Sequence, residues 1–185
     1  MDAIEMITER RSVRKFKNEK VDRGTMMEII DVARWAPSWA NFQVARYTLV
    51  DDTATIKKLS TDGVKGFVYN CKTLEEAKGV VVLSFVKGKS GKIDPEKDEY
   101  ATDKANVWEV FDSGIACQTF CLAAHAKGVG TCIMGIIDDS SISEIVGLPE
   151  EETVAGIIVY GYEDGEHVKP TPRKEVAYIL RFVDA

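Results

Sequence analysis

The segment Arg10-Arg11-Ser12-Val13-Arg14-Lys15-Phe16-Lys17 holds five cations within eight positions and no acid. The chain around it is acidic, with 24 Lys and Arg against 30 Asp and Glu and a formal net charge of -6. A local positive cluster in such a chain needs a cause. Guanidinium groups are planar, permanently charged donors that match oxyanions, and the Ser12 hydroxyl adds another donor. The competing reading is a solvated charge run of the kind that ends helices. The segment is too short to build the broad basic face that a nucleic-acid backbone demands, so nucleic acid is not an expected partner. One small anion suits it better.

The other chemistry-bearing residues narrow the choice. Serine chemistry would need Ser12 or Ser38 beside His125, but His125 sits in an Ala-Ala-His-Ala run of a helical pattern and reads as structural. Gly128-Val129-Gly130 lies between a helix and a strand, the reverse of the order in a dinucleotide fingerprint, and no Gly-Lys-Ser/Thr phosphate loop occurs. Cys71, Cys117, Cys121 and Cys132 form no Cys-x-x-Cys pair. Cys117 and Cys121 fall four apart in an apolar helical pattern and read as small core residues. His125 and His167 have no ligand spacing, so no metal or iron–sulfur site is expected. An anion site without a catalytic side chain suits a bound cofactor that brings its own chemistry.

The elements that must position these residues follow from pattern. At 185 residues, 45% apolar and 29% charged, the chain fits one globular domain spanning 1–185. No apolar run approaches the roughly 20 residues of a membrane span, and Met1-Asp2-Ala3-Ile4-Glu5 lacks the character of a signal peptide, so a cytoplasmic protein is expected. Asp2-x-x-Glu5 predicts a capped first helix running to Arg10 or Arg11. A second starts near Asp22 or Thr25, with Thr25-x-x-Glu28 as a possible box, buries Ile29, Ile30, Ala33 and Ala36, and stops at Pro37. Tyr47–Val50 reads as a strand and 55–60 as a short helix. Val80–Val86 is a nearly unbroken apolar run, hence a central strand covered on both faces. Residues 88–98 read as a loop. The longest helix is expected over 103–127, with Trp108, Phe111, Ile115, Leu122 and Ala126 on one face and Gly128 ending it. Strands are expected over 131–137 and 153–162, a helix capped by Ser140 or Ser141 between them, and a possible further strand over 176–183. Strict βαβ alternation is absent, so the fold class is α+β, with a central mixed or antiparallel sheet flanked by helices.

Five segments, in order, resemble the flavin-dependent nitroreductase family. Ile-Thr-Glu-Arg-Arg-Ser-Val-Arg-Lys-Phe at 7–16 looks like its opening motif. Ala36-Pro37-Ser38-x-x-Asn41-x-Gln43 resembles its turn after the second helix. Val68-Tyr69-Asn70 resembles a flavin-edge asparagine segment, 123–135 the helix end and strand beside the flavin ring, and Pro172-Arg173-Lys174 a late basic motif. Val44-Ala45 stands where the family often has Pro-Trp, and Glu175 where it usually has Pro-Leu.

The resemblance implies riboflavin 5′-phosphate (FMN) at a homodimer interface, with NADH or NADPH as reductant and a small-molecule acceptor such as a nitroaromatic or quinone. Arg10, Ser12 and Arg173 would hold the phosphate, with Arg11 nearby. Arg14 would face the pyrimidine edge, with Asn70 at the flavin edge. Cys132, Ile133, Met134 and Gly135 would line the ring, an amide facing N5. Pro37, Ser38 and Asn41 would be contributed by the partner subunit, and the C-terminal tail would pack on that protomer. Hydride would pass through flavin N5 in ping-pong order. The alternatives are an FMN-binding module for sensing or storage, and a specialised reductase or dehalogenase on the same scaffold.

Overall fold

In the computed structural model, which describes residues 2–183, the first helix, α1 (Ala3–Glu9), begins with the expected capping box. The Asp2 carboxylate accepts from Ile4 N at 2.8 Å and Glu5 N at 2.9 Å, and Glu5 accepts from Asp2 N at 3.0 Å. The second helix, α2 (Arg23–Ala33), is capped by Asp22 rather than Thr25, because Asp22 takes both the Thr25 amide and the Thr25 hydroxyl. It ends four residues before Pro37.

Four strands follow among the helices: β1 (Ala45–Val50), β2 (Gly79–Val86), β3 (Gly130–Met134) and β4 (Glu152–Gly161). They pair in the order β1-β2-β4-β3, every pair antiparallel. Helices α3 (Thr53–Asp62), α4 (Val68–Glu76) and α6 (Asp139–Val146) cover one face, and α2 with α5 (Val107–Ala126) covers the other. Along β2 the side chains alternate between two cores. Val80 and Val82 pack with Leu59, Leu74 and Ile142, whereas Val81 and Leu83 pack with Ile29, Phe120 and Ile158. Double-sided burial explains the unbroken apolar run, and each fully buried Val, Leu, Ile or Phe contributes roughly 1.5–3 kcal/mol.

Several expectations are corrected. The long helix starts at Val107 and buries the opposite side from the one expected. Ala116, Cys117, Phe120, Cys121, Ala123 and Ala124 face the core, together with Glu109, Asp112 and Ser113, while Phe111 is 57% exposed and Trp108, Ile115 and Leu122 are only half-buried. Its apolar residues surround it, so periodicity does not select a face; the inward acids bind loop amides instead. The third strand closes at Met134, and 135–137 leave the ladder. Asp138, not Ser140 or Ser141, caps α6 by accepting from Ser141 N. Val68–Glu76 is a helix that sequence patterning missed. The tail forms a helical turn, α7 (Val176–Ile179), instead of a strand.

The far side of β3 is occupied by the extended basic segment. Ser12 bridges Thr131 in parallel, Val13 N donates to Thr131 O at 2.9 Å, and Lys17 N donates to Tyr162 O at 2.9 Å. The approach is tight at Gly130, where an added Cβ would stand 2.7 Å from a Val13 methyl. Gly130→Ala should therefore cost about 1–3 kcal/mol by overpacking. The Val13→Ala/Gly130→Ala double variant should be more stable than the summed losses predict, as a double-mutant cycle in urea would read. Strict additivity would refute the contact.

Candidate functional site

Ser12 and Val13 anchor the basic segment on β3 at Thr131, and Phe16 and Lys17 anchor it at Glu163 and Tyr162, past the end of β4. Arg10 is the residue at which α1 ends. The Arg14 guanidinium is exposed and donates only to Ser12 O, at 3.3 Å. Among the described residues, neither Arg10 nor Arg14 is in an ion pair. Arg11 behaves differently. Its side chain is 10% exposed, folds back onto the carbonyls of Thr8 and Arg10, and lies 3.7 Å from Glu9. It thereby caps the C-terminus of α1.

Beside Arg14, Cys132 and Met134 turn into the core, whereas Ile133 is 49% exposed. Ile133 borders a cavity of about 300 Å³ with Val110, Gly114 and Gly156. A Cβ added at Gly135 would meet no atom within 4 Å, so the backbone there is open to close approach. Asn70 on α4 donates to Ile136 O at 3.3 Å, which draws its amide to the same end of β3. Within one protomer Ser12 is thus joined to β3 at Thr131, Arg14 acts on the neighbouring Cys132, Asn70 is joined to Ile136, and Arg10 borders a separate cavity of about 210 Å³ with Thr131, His125, Glu163 and His167.

The other expected residues stand apart. Pro37 and Ser38 lead into a single 3₁₀ turn (Trp39–Asn41) with left-handed backbone at Ala40 (φ 45°), Asn41 (φ 57°) and Gln43 (φ 50°). Ser38 Oγ accepts from Gln43 N at 2.9 Å and closes the turn. Arg173 donates to Thr171 on its own tail. No hydrogen bond or ion pair among the described residues joins either group to Arg10 or Ser12. Sequence reasoning missed the anchor of the turn, Asp112, which accepts from Trp39 N. The available signal was a pair of acids, Glu109 and Asp112, one turn apart within an apolar helix.

Known proteins share this fold and sequence pattern. The sequence pattern of the Nitroreductase family matches residues 7–162, most of the chain. The chain belongs to the nitroreductase family. An NADH dehydrogenase of Thermus thermophilus is 25% identical over 183 residues, covering 88% of this chain and 87% of that one. An iodotyrosine deiodinase of Thermotoga neapolitana is 26% identical, covering 96% of each. A solved FMN-dependent nitroreductase of Clostridium difficile R20291 is 26% identical with a TM-score of 0.76, covering 97% of this chain and 98% of its own. As a member of this family the protein is an oxidoreductase, and no described helix is long and apolar enough to cross a membrane.

In this nitroreductase-family chain the basic segment also perturbs its neighbours. Burial pushes the Cys132 thiol up, and the opposing pull of Arg14, Ser12 and Arg10 does not overcome it. His167 has an acceptor at each ring nitrogen, Glu163 at 2.7 Å and Glu9 O at 3.0 Å. Glu163 first, then the Glu9 carbonyl, raises its pKa. His125 moves the other way: burial lowers its pKa, helped by the positive charge of His167, Arg10 and Arg11.

The two histidines therefore affect stability with opposite signs. The His167 contribution is complete below the ordinary value of about 6.5 and is lost as pH rises through its higher folded value. For His125, stability is lost as pH falls below about 6.5 toward its lower folded value. NMR titration of the two rings should show this order, and His167→Ala should raise the His125 pKa. An unmoved His125 titration in that variant would remove His167 as its neighbour in charge.

Proposed function

We propose that the protein is an FMN-dependent NAD(P)H oxidoreductase of small acceptors, nitroaromatics or quinones among them, working as a homodimer of a single 1–185 domain. The observation that carries this reading is the basic segment anchored on β3 by the Ser12–Thr131 bridge, with Arg10 and Arg14 in no ion pair among the described residues and open backbone at Gly135 on the same strand's end. That donor set fits FMN: a dianionic phosphate needs charge-assisted donors, and a flat ring needs backbone it can approach closely. Bound FMN supplies two-electron hydride transfer between nicotinamide and acceptor.

The chain's own residues bind and orient. Arg10, Ser12 and Arg173 hold the phosphate, with Arg11 supporting the end of α1 beside them. Arg14 faces the pyrimidine edge, where a cation favours added negative charge. The backbone of Ile133, Met134 and Gly135 lines the ring over Cys132, and Asn70 closes the edge. The Pro37–Asn41 turn reaches the site of the second protomer. Catalysis here is positional, and no side chain need exchange a proton with substrate.

The homodimer is supported by exposed apolar surface. Val107, Val110 and Phe111 line the outer face of α5, and Val176, Tyr178, Ile179, Leu180 and Phe182 lie bare on the tail. Surface of this kind marks an interaction site. A second reading, reductive dehalogenation on the same scaffold, is supported by the similarity to the Thermotoga protein. NAD(P)H oxidation with nitroaromatics, quinones and halophenols in parallel separates the two.

Purified protein should be yellow. Arg10→Ala and Arg173→Ala should each weaken FMN binding by about one to two decades, from loss of about 1.5–3 kcal/mol. Arg14→Ala should lower the flavin midpoint potential more than the affinity; wild-type potential in that variant would sink its assignment. If one face serves both nicotinamide and acceptor, double-reciprocal plots at several fixed acceptor concentrations should be parallel. Intersecting lines would require a second pocket and defeat the single-site mechanism.

A further inference from the structure

Asp112 on α5 is 3% exposed, and among the described residues no cation pairs with it. A buried carboxylate without a counter-ion is costly and persists only when its lone pairs are filled. Here they are filled by two loops. Both oxygens lie 3.0 Å from Trp39 N, and Oδ2 accepts from Ser90 Oγ at 2.6 Å. One turn earlier, Glu109, 4% exposed, accepts from the amides of Gly88 and Lys89. The loop thus fixed returns to the same tryptophan, because Lys92 O accepts from the Trp39 indole N–H. Trp108 packs on the Trp39 ring with centroids 4.7 Å apart.

Trp39 therefore has its backbone, its indole N–H and its ring face all held, and it immediately precedes the strained part of the turn. Left-handed backbone at Ala40, Asn41 and Gln43 is unfavourable for residues with a Cβ and survives only where the surroundings over-determine it. No glycine relieves it. Asp112 reaches the Pro37–Asn41 turn's own backbone from α5, Arg46 holds the following Gln43 carbonyl at 2.8 Å, and the Glu109-bound loop holds the Trp39 side chain.

We infer that Asp112 is a positioning residue: it holds the Pro37–Asn41 turn in the conformation that presents Ser38 and Asn41 across the dimer to FMN. The inference rests on the functional reading above. It assigns Asp112 no contact with cofactor or substrate. Its effect passes through the Trp39 amide.

The test compares wild type, Asp112→Ala, Asp112→Asn and Ser90→Ala as full-length proteins. FMN affinity is measured by fluorescence titration, dimerisation by sedimentation, stability in urea, and the Trp39 amide by hydrogen exchange. Asp112→Ala should stay dimeric, exchange the Trp39 amide faster while β2 remains protected, and bind FMN about tenfold or more weakly. Asp112→Asn keeps one acceptor for that amide and should recover part of the affinity. Ser90→Ala removes a buried hydrogen bond to the same carboxylate but leaves Trp39 N held. It should lose stability and keep wild-type FMN affinity, which separates positioning from general destabilisation. If Asp112→Ala does not fold, Asp112→Asn decides, and unchanged affinity in that dimer overturns the inference. Equal loss of affinity in Ser90→Ala and Asp112→Asn also overturns it. A wild-type dimer that takes up no FMN defeats the functional reading and this inference together, whereas wild-type uptake with unaffected Asp112 variants defeats the inference alone.

Discussion

The hydrogen bond from Val13 N to Thr131 O turns a stretch of charged sequence into part of the sheet. With the Ser12–Thr131 bridge at β3 and the Phe16–Glu163 bridge past the end of β4, the segment is tied to the sheet at two places. An exposed edge is a liability, and covering its start here has a chemical consequence. The basic side chains are held near β3, where Arg14 and Arg10 both act on Cys132. Close backbone approach makes this possible, since Gly130 leaves room for Val13 where any side chain would intrude.

Several acids of the chain are engaged elsewhere. Asp2, Asp22, Asp52 and Asp138 each cap a helix by accepting its first free amides. Hydrogen bonds to those amides, or to the neighbouring hydroxyl, lower the pKa of Asp22, Asp52 and Asp138, so these carboxylates stay ionised where they are useful to helix ends. Arg23 takes Asp51, and Lys127 takes Glu28. A net charge of -6 thus coexists with guanidiniums that are in no ion pair among the described residues, Arg10 and Arg14 among them.

What the sequence reveals depends on how local the cause is. The capping box at Asp2, the doubly buried strand at Val80–Val86 and the Gly128 stop are readable because each is determined within a few residues. The buried face of α5 is not readable, because its apolar residues run all round and the deciding contacts are made by Glu109 and Asp112 to loops distant in sequence. Helix α4 begins at Phe67 without a side-chain cap and gives no start signal. The site divides in the same way. Ser12 comes to β3 at Thr131 and Asn70 to Ile136 just past its end, contacts that the motifs name but that no local pattern sets. Pro37–Asn41 and Arg173 remain separate within one protomer, and no spacing in a single chain encodes a distance to a second copy.

The polarity of the edge is completed by what lies beneath it. Cys132 sits under the two guanidiniums, where a thiolate would be their natural internal counter-ion. Arg14 and Arg10 do pull its pKa down, but burial pushes it up by more, so it stays a neutral thiol. His125, another titratable group near Arg10, has its pKa lowered by burial and by the charge of His167, Arg10 and Arg11. Arg11 is already occupied by Glu9 and by the carbonyls at the end of α1. Among the described residues neither Arg10 nor Arg14 is in an ion pair, and Arg14 is exposed. In the functional reading proposed above, a guanidinium in that state gains most from an anion that brings several acceptors to a fixed place, which is the chemistry of a cradle rather than of a solvated charge run.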